Sequence, residues 1–258
     1  MNDHELAAHL AEEAGELLLK VRVEYADAGQ KERKDAGDRR AQEYLAAALA
    51  QARPDDAVLS EEAVDNPVRL RADRVWIVDP LDGTREFSEA GRVDWAVHVA
   101  LWQRDGSPET GTGGATAQTG SLVAGAVALP AQGVTLSTPE VPPVPAGGDP
   151  PRIIVSRTRP PAIALEVCDA LGGTLVEMGS AGAKMMAVVQ GQADIYVHAG
   201  GQYEWDSAAP VAVARAAGLH SSRIDGSPLV YNQPDTYLPD LVICRPEYAD
   251  AVLRITRG

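Results

Sequence analysis

The stretch 76-WIVDPLDGTREF-87 decides how this chain is read. The apolar run from Val75 to Val78 reads as a short buried strand. It ends in two aspartates three residues apart, Asp79 and Asp82, set among Pro80, Gly83 and Thr84. Asp-Pro and Asp-Gly pairs are turn formers, and alone the two acids would do no more than solvate a turn. Other segments give them company. In 58-VLSEEA-63 a second short strand ends in Glu61 and Glu62. In 204-EWDSAAP-210, Asp206 stands at the start of a helix expected over 207–217, with Pro210 read into its first turn.

A strand end and a helix start both present side chains to a crevice at the edge of a sheet. Hard divalent cations take oxygen ligands, and a two-metal site needs several carboxylates. Glu61, Asp79, Asp82 and Asp206 would supply them, with the Leu81 carbonyl as a further oxygen. The Asp-x-x-Asp spacing sets two acids on one side of a tight turn. Gly83 and Thr84 then open a helical segment whose free N–H groups suit phosphate. Together these features describe a phosphate-ester site.

Other chemistries lack their signatures. There is no Gly-x-x-x-x-Gly-Lys-Ser/Thr loop, no Gly-x-Ser-x-Gly elbow and no histidine pair at zinc spacing. The two acids of an aspartyl-nucleophile phosphatase would stand two apart, not three. His4, His9, His98, His198 and His220 are scattered, and a lone strand histidine such as His98 reads as a core or surface residue.

The chain has 258 residues, enough for one large domain or two small ones. Its formal net charge of −14 speaks against nucleic-acid and anionic-membrane partners, though bound Mg²⁺ would let it hold an anionic small molecule. No apolar run reaches membrane-spanning length, and the acidic, amphipathic start is unlike a signal peptide, so a cytoplasmic protein is expected. Cys168, in a helix pattern, and Cys244, in the strand pattern LVICR, read as buried free thiols.

Helices are expected over 5–23 and about 38–52, separated by the charged loop 26-ADAGQKERKDAG-37. Strands follow at 57–59, 75–78, 93–102, 121–130 and 133–138, with 107–121 as a Gly/Thr-rich hairpin loop. The stretch 139-PEVPPVPAGGDPP-151 reads as an extended linker. Beyond it strands and helices alternate: RIIVS, helix 161–171, TLVEM, helix 181–190, DIYV, helix 207–217, DLVIC. The expected division is an N-terminal α+β part (1–138) carrying an antiparallel sheet and most of the acids, a linker (139–151) and a C-terminal α/β part (152–258).

Taken in order, LSEEA, WIVDPLDGTREF, GSAGAK and EWDSAAP resemble the motifs of the inositol-monophosphatase superfamily. The runs 179–210, 225-DGSPLVYNQPDTYLPDL-241 and 156-SRTRPPA-162 look like its actinobacterial CysQ branch. The resemblance implies an α+β fold, the layered α-β-α-β-α sandwich of the inositol-monophosphatase/fructose-1,6-bisphosphatase type. It implies a Mg²⁺-dependent, lithium-sensitive phosphomonoesterase with two or three Mg²⁺ per site, acting on a small-molecule phosphate ester. In the CysQ branch that ester is 3′-phosphoadenosine 5′-phosphate, cleaved to AMP and phosphate in sulfur assimilation. Inositol monophosphate and fructose 1,6-bisphosphate are alternative substrates of the same chemistry, and a silent Mg²⁺- or phosphate-binding protein is the alternative of another class.

By the same resemblance, Glu61, Asp79, the Leu81 carbonyl, Asp82 and Asp206 bind the metals. Thr84 and Glu61 orient and activate the attacking water. Asp38, in 38-DRRAQEYL-45, partners Thr84, or else serves as a plain N-cap. Gly83, Thr84, Arg85, Arg157, Ser180, Lys184 and Asp206 are the candidate substrate contacts, with Lys184 facing a second phosphate as a point charge. Family members also form homodimers. The sequence departs from the pattern at 34-KDAGD-38, which lacks the usual Thr before the Asp, and at 198-HAGGQ-202, which holds no Glu where inositol-specific members place one.

Overall fold

The computed structural model describes residues 1–106 and 119–258. Two long helices come first, α1 (Asp3–Glu24) and α2 (Gln30–Ala52). A five-stranded sheet follows: β1 (Ala57–Ser60), β2 (Arg74–Asp82), β3 (Ala96–Arg104), β4 (Gly120–Leu129) and β5 (Val134–Ser137), in chain order across the sheet. β1 pairs parallel with β2, and the other pairings are antiparallel. A short helix, α3 (Thr84–Ser88), follows β2.

Residues 139–151 hold no helix or strand. The second sheet contains β6 (Arg152–Ser156), β7 (Thr174–Met178), β8 (Ile195–Tyr203), β9 (His220–Ser222) and β10 (Tyr237–Cys244), in the order β7-β6-β8-β10-β9. Its helices are α4 (Ala162–Ala170), α5 (Ala181–Val189), α6 (Glu204–Ala216) and α7 (Pro246–Thr256).

Strand periodicity builds the layers. In β2, Trp76 and Val78 face α1 and α2, while Val75 and Ile77 face the opposite side. There α5 and α6 fill the space between the two sheets and meet Ile154, Tyr196, Leu241 and Ile243 of the second. The other face of that second sheet, through Ile153, Val155, Ile195 and Val242, is covered by α4 and α7. The result is the expected α-β-α-β-α sandwich. Every strand of its middle is buried on both sides, so its apolar runs are continuous as well as alternating.

The charged loop expected over 26–37 is mostly helix: α2 starts at Gln30, so Asp38 lies inside it and is not an N-cap. Gln, Lys, Glu and Arg are good helix formers, and charge alone does not break a helix. The Arg33 guanidinium secures the turn before it, donating to the Tyr25, Ala26 and Ser88 carbonyls. Likewise α6 begins at Glu204, three residues early, which puts Pro210 in its second turn rather than its first. The short strand β9 and the helix α7 add to the elements expected from sequence. The hairpin loop read over 107–121 lies almost wholly outside the described residues.

Candidate active site

β2 ends in a bulge: Asp79 pairs with His98 and Asp82 with Ala96, so two residues fall between the paired positions. Gly83 then turns the chain with φ at 84°, a conformation that favours glycine, and a Cβ there would stand 2.8 Å from the Ser180 Cβ. This bend keeps both acids at the strand end. Asp206, third residue of α6, comes to meet them from the middle layer. Asp79, Asp82 and Asp206 each offer a carboxylate oxygen, and these atoms lie within 4.8 Å of one another. Glu61, just past β1, adjoins Asp79 and carries the like charges of Asp206 and Asp82 beside it.

The four acids are not equivalent. Asp82 is compensated by the protein. Burial acts to raise its pKa, but His98, the Ser180 hydroxyl and the Gly182 N–H overcome that and hold it at about 2. The Ser180 Oγ and the N–H groups of Ala181 and Gly182 all donate to it. Gly182 is required here, since a Cβ would fall 1.9 Å from the His98 Nε2. Asp79 is the opposite. Its Oδ1 accepts from the Leu81 N–H at 3.0 Å, and its Oδ2 is buried with no hydrogen-bond partner among the described residues. Burial first, then the charges of Glu61, Asp82 and Asp206, push its pKa well up. Burial likewise raises Glu61 to about 7 and Asp206 to about 6. Crowded oxygens that the protein compensates only at Asp82 fit a hard divalent metal.

His98 is the residue that sequence reasoning missed. It is fully buried, with Nε2 3.3 Å from an Asp82 oxygen and Nδ1 3.0 Å from the Trp205 carbonyl. It thereby links the β2 acid to the helix that carries Asp206. The signal was its strand parity. His98 shares a face with Ala96, Ala100 and Trp102, which point at α5 and α6, and not with Val97 and Val99.

The remaining candidates divide. The Thr84 hydroxyl donates to the Leu81 carbonyl at 3.3 Å, so both stand together at the turn. Asp38 lies beside Glu62, the chain neighbour of Glu61. Burial and that charge raise its pKa to about 7, and among the described residues no hydrogen bond joins it to Thr84. Ser180 lies directly on Asp82. Lys184 is buried and donates to the Gly179 and Ser180 carbonyls, so it stiffens the segment that grips Asp82. Arg157 is held by Glu86 and Glu89, each at 2.8 Å. Arg85 is exposed on α3.

Beside the acids opens a cavity of about 420 Å³. Glu61 and Asp206 line one end, and Lys184, Tyr196, Gln202, Tyr203, Trp205 and Arg159 line the rest. Among the described residues, the Tyr196 hydroxyl and both amide atoms of Gln202 are buried without partners. Tyr203 stacks on Trp205 with ring centroids 4.9 Å apart. Arg159, not Arg157, is the arginine at this cavity, two residues further along the same SRTR segment. Among the described residues no helix is long and apolar enough to cross a membrane.

Comparison with known proteins agrees with this geometry. A protein named 3′-phosphoadenosine 5′-phosphate phosphatase from Mycobacterium leprae is 54% identical over 261 residues, covering 100% of this chain and 94% of that protein. The crystal structure of CysQ from Bacteroides thetaiotaomicron superposes with a TM-score of 0.73 at 26% identity, over 94% of this chain and 97% of that one. Inositol monophosphatase II from Staphylococcus aureus shares the fold, with a TM-score of 0.75 at 18% identity over 96% and 94% of the two chains. The model of the inositol monophosphatase family matches residues 3–256, and the chain belongs to that family.

Proposed function

We propose that the protein is a Mg²⁺-dependent, lithium-sensitive phosphomonoesterase that cleaves 3′-phosphoadenosine 5′-phosphate to AMP and phosphate and so serves sulfur assimilation. The observation that carries the reading is the cluster of Asp79, Asp82 and Asp206, with an unpartnered Asp79 oxygen, at one end of a cavity. Glu61, Asp79, Asp82 and Asp206, with the Leu81 carbonyl, would hold the metal. Bound there, it supplies charge neutralisation of the phosphate and a lowered pKa for the attacking water.

The chain's own residues do the rest. His98, Ser180 and two backbone N–H groups keep Asp82 ionised at all working pH values. Glu61, beside Asp79, is the carboxylate placed to accept a proton from the attacking water. Thr84, fixed on the Leu81 carbonyl, stands where it can orient the water. No covalent step is required.

The nucleotide is favoured over a sugar phosphate by the cavity walls. The stacked Tyr203–Trp205 pair offers an aromatic surface for a purine. Arg159 offers positive charge for a second phosphate in an otherwise acidic chain. The name of the Mycobacterium leprae relative points the same way.

The test is phosphate release with Mg²⁺ from 3′-phosphoadenosine 5′-phosphate, inositol 1-phosphate and fructose 1,6-bisphosphate, compared as kcat/KM in one buffer. We expect the nucleotide to be preferred by at least about a hundredfold, or about 2.7 kcal/mol of differential transition-state binding. Comparable values for the three would overturn the substrate assignment. No release from any would overturn the phosphatase reading.

A further inference from the structure

Glu61 and Asp206 approach the site from opposite directions. Glu61 opens the long connection from β1 to β2, and Asp206 rides on the first turn of α6. The connection packs against that turn through a polar chain that runs from exposed Asp65 into buried Arg69, Asn232 and Glu204 and touches none of the four acids. Arg69, in the 3-10 turn Pro67–Arg71, is 1% exposed. It grips Asp65 with two nitrogens, Nε at 2.7 Å and Nη2 at 2.9 Å. It also donates to the Asn232 Oδ1 at 2.8 Å and to the Gln233 carbonyl at 3.0 Å. The Asn232 side chain returns a hydrogen bond to the Arg69 carbonyl.

Asn232 is wholly buried and holds a left-handed backbone, with φ at 58°. That bend aims two successive N–H groups, of Asn232 and Gln233, at the two oxygens of Glu204, at 2.6 and 2.7 Å. Glu204 is the first residue of α6 and stands two positions before Asp206. Its own N–H donates to the Thr236 carbonyl, which closes the loop on the helix end. The path from Asp65 through Arg69 and Asn232 to Glu204 is thus a rigid strut between the Glu61 connection and the Asp206 helix.

We propose that this strut fixes the spacing of Glu61 and Asp206, and so sets the site's affinity for its divalent cation. Arg69, Asn232 and Glu204 are positioning residues: they act through the acids and touch neither metal nor substrate. Such a constraint is what a multi-carboxylate site needs, because its ligands repel one another and would spread apart if the elements carrying them were free. The inference rests on the metal-dependent reading above.

The experiment uses the full chain and two variants. Asn232→Gly keeps the left-handed backbone and both N–H donors to Glu204, and removes the side-chain links to Arg69 while leaving the Arg69 bond to the Gln233 carbonyl. Arg69→Lys keeps the charge and loses the fork. Mg²⁺ binding is read by calorimetry without substrate, alongside thermal melting and the Mg²⁺ dependence of turnover. In each folded variant we expect the Mg²⁺ dissociation constant to rise about tenfold. Turnover at saturating Mg²⁺ should return to within about threefold of wild type. A merely structural role would lower the melting temperature and leave the dissociation constant within twofold, which would overturn the proposal. If Arg69→Lys does not fold, Asn232→Gly decides alone. A wild-type chain that binds no Mg²⁺ would overturn the metal reading itself, and the inference with it.

Discussion

Asp79 and Asp194 are the same residue type at the same burial, each fully enclosed, and the fold treats them in opposite ways. Asp194, at the start of the β8 segment, accepts four hydrogen bonds. Two come from the Gly148 and Arg152 N–H groups and two from the Arg152 guanidinium, at 2.8 to 3.1 Å. Burial acts to raise its pKa, and those donors overcome burial and hold it below the ordinary carboxylate value. Asp79 accepts one backbone N–H, leaves an oxygen unpartnered and faces three other acids. A buried charge without a partner is costly. A protein that keeps one, next to more of the same sign, is built to receive the missing cation from outside. Asp194 is a structural clamp on the residues entering β6, and Asp79 is the acid that the proposed function assigns to a cation.

The largest effect that would break this contrast is chemical. Asp79→Asn removes a charge that the metal needs and the fold does not. Phosphate release should fall by roughly a thousandfold or more, about 4 kcal/mol of barrier. Asp82→Asn and Asp206→Asn should behave alike. The metal-free Asp79→Asn protein should melt no lower than wild type, because a repulsion has been removed. A variant that kept wild-type turnover would dismiss Asp79 from the site.

Asp194→Asn should do the reverse. It unpairs the Arg152 guanidinium and loses the charge-assisted bonds, at a cost of about 3 kcal/mol of stability. Its kcat should stay within about twofold of wild type at a temperature where it is folded. Denaturant melts and steady-state rates on one sample would show both. A large fall in kcat without loss of stability would erase the distinction.

His98 stands between the two extremes, as a protein-supplied partner inside the site. Burial acts to lower its pKa, and Asp82 more than reverses this. His98→Gln keeps a polar group but removes the charge that holds Asp82 at about 2. We expect roughly a tenfold loss in kcat/KM, about 1.4 kcal/mol. An unchanged kcat/KM would reduce His98 to a packing residue.

The fold was open to sequence reading wherever period and burial agreed. The alternation in β2 and β3 and the Pro-rich stretch before β6 marked the layers, and the acids at element ends marked the site. The rest was hidden for physical reasons. The first two turns of α2 carry few apolar residues, since they are secured by Arg33 reaching back to carbonyls that are distant in sequence. The roles of Arg157 and Arg159 depend on which of them meets Glu86 and Glu89, a tertiary fact that the segment SRTR does not carry. The same holds for Lys184, whose ammonium is spent on two carbonyls rather than left pointing at a ligand. His98 alone could have been placed earlier, from its parity with Ala96 and Ala100.

The smallest effect is also the sharpest on sign. Glu61 and Asp206 have pKa values of about 7 and about 6, raised from 4.5 and 3.8, and Asp79 is raised as well. An acid raised on folding contributes stability that is fully present below its unfolded pKa and lost as pH climbs through the folded one. In metal-free protein these three acids should therefore lower the melting temperature between about pH 5 and pH 7.5. Asp194 adds no slope there. Its pKa is lowered, so its contribution is complete above the unfolded value of 3.8 and fades only in stronger acid. A divalent cation binds the ionised acids and must displace their protons, so its stabilisation should grow through the same window. The measurement is the melting temperature with saturating Mg²⁺ minus that with chelator, taken at half-unit steps of pH. The difference cancels every group that the metal does not touch. It should be near zero at pH 5, rise by a few degrees between pH 6 and 7, and level off above. In Asp194→Asn both melting temperatures should fall while their difference keeps its size and shape, and in Asp79→Asn the rise itself should largely vanish. A difference that is flat with pH would mean that the crowded acids are not what the cation replaces.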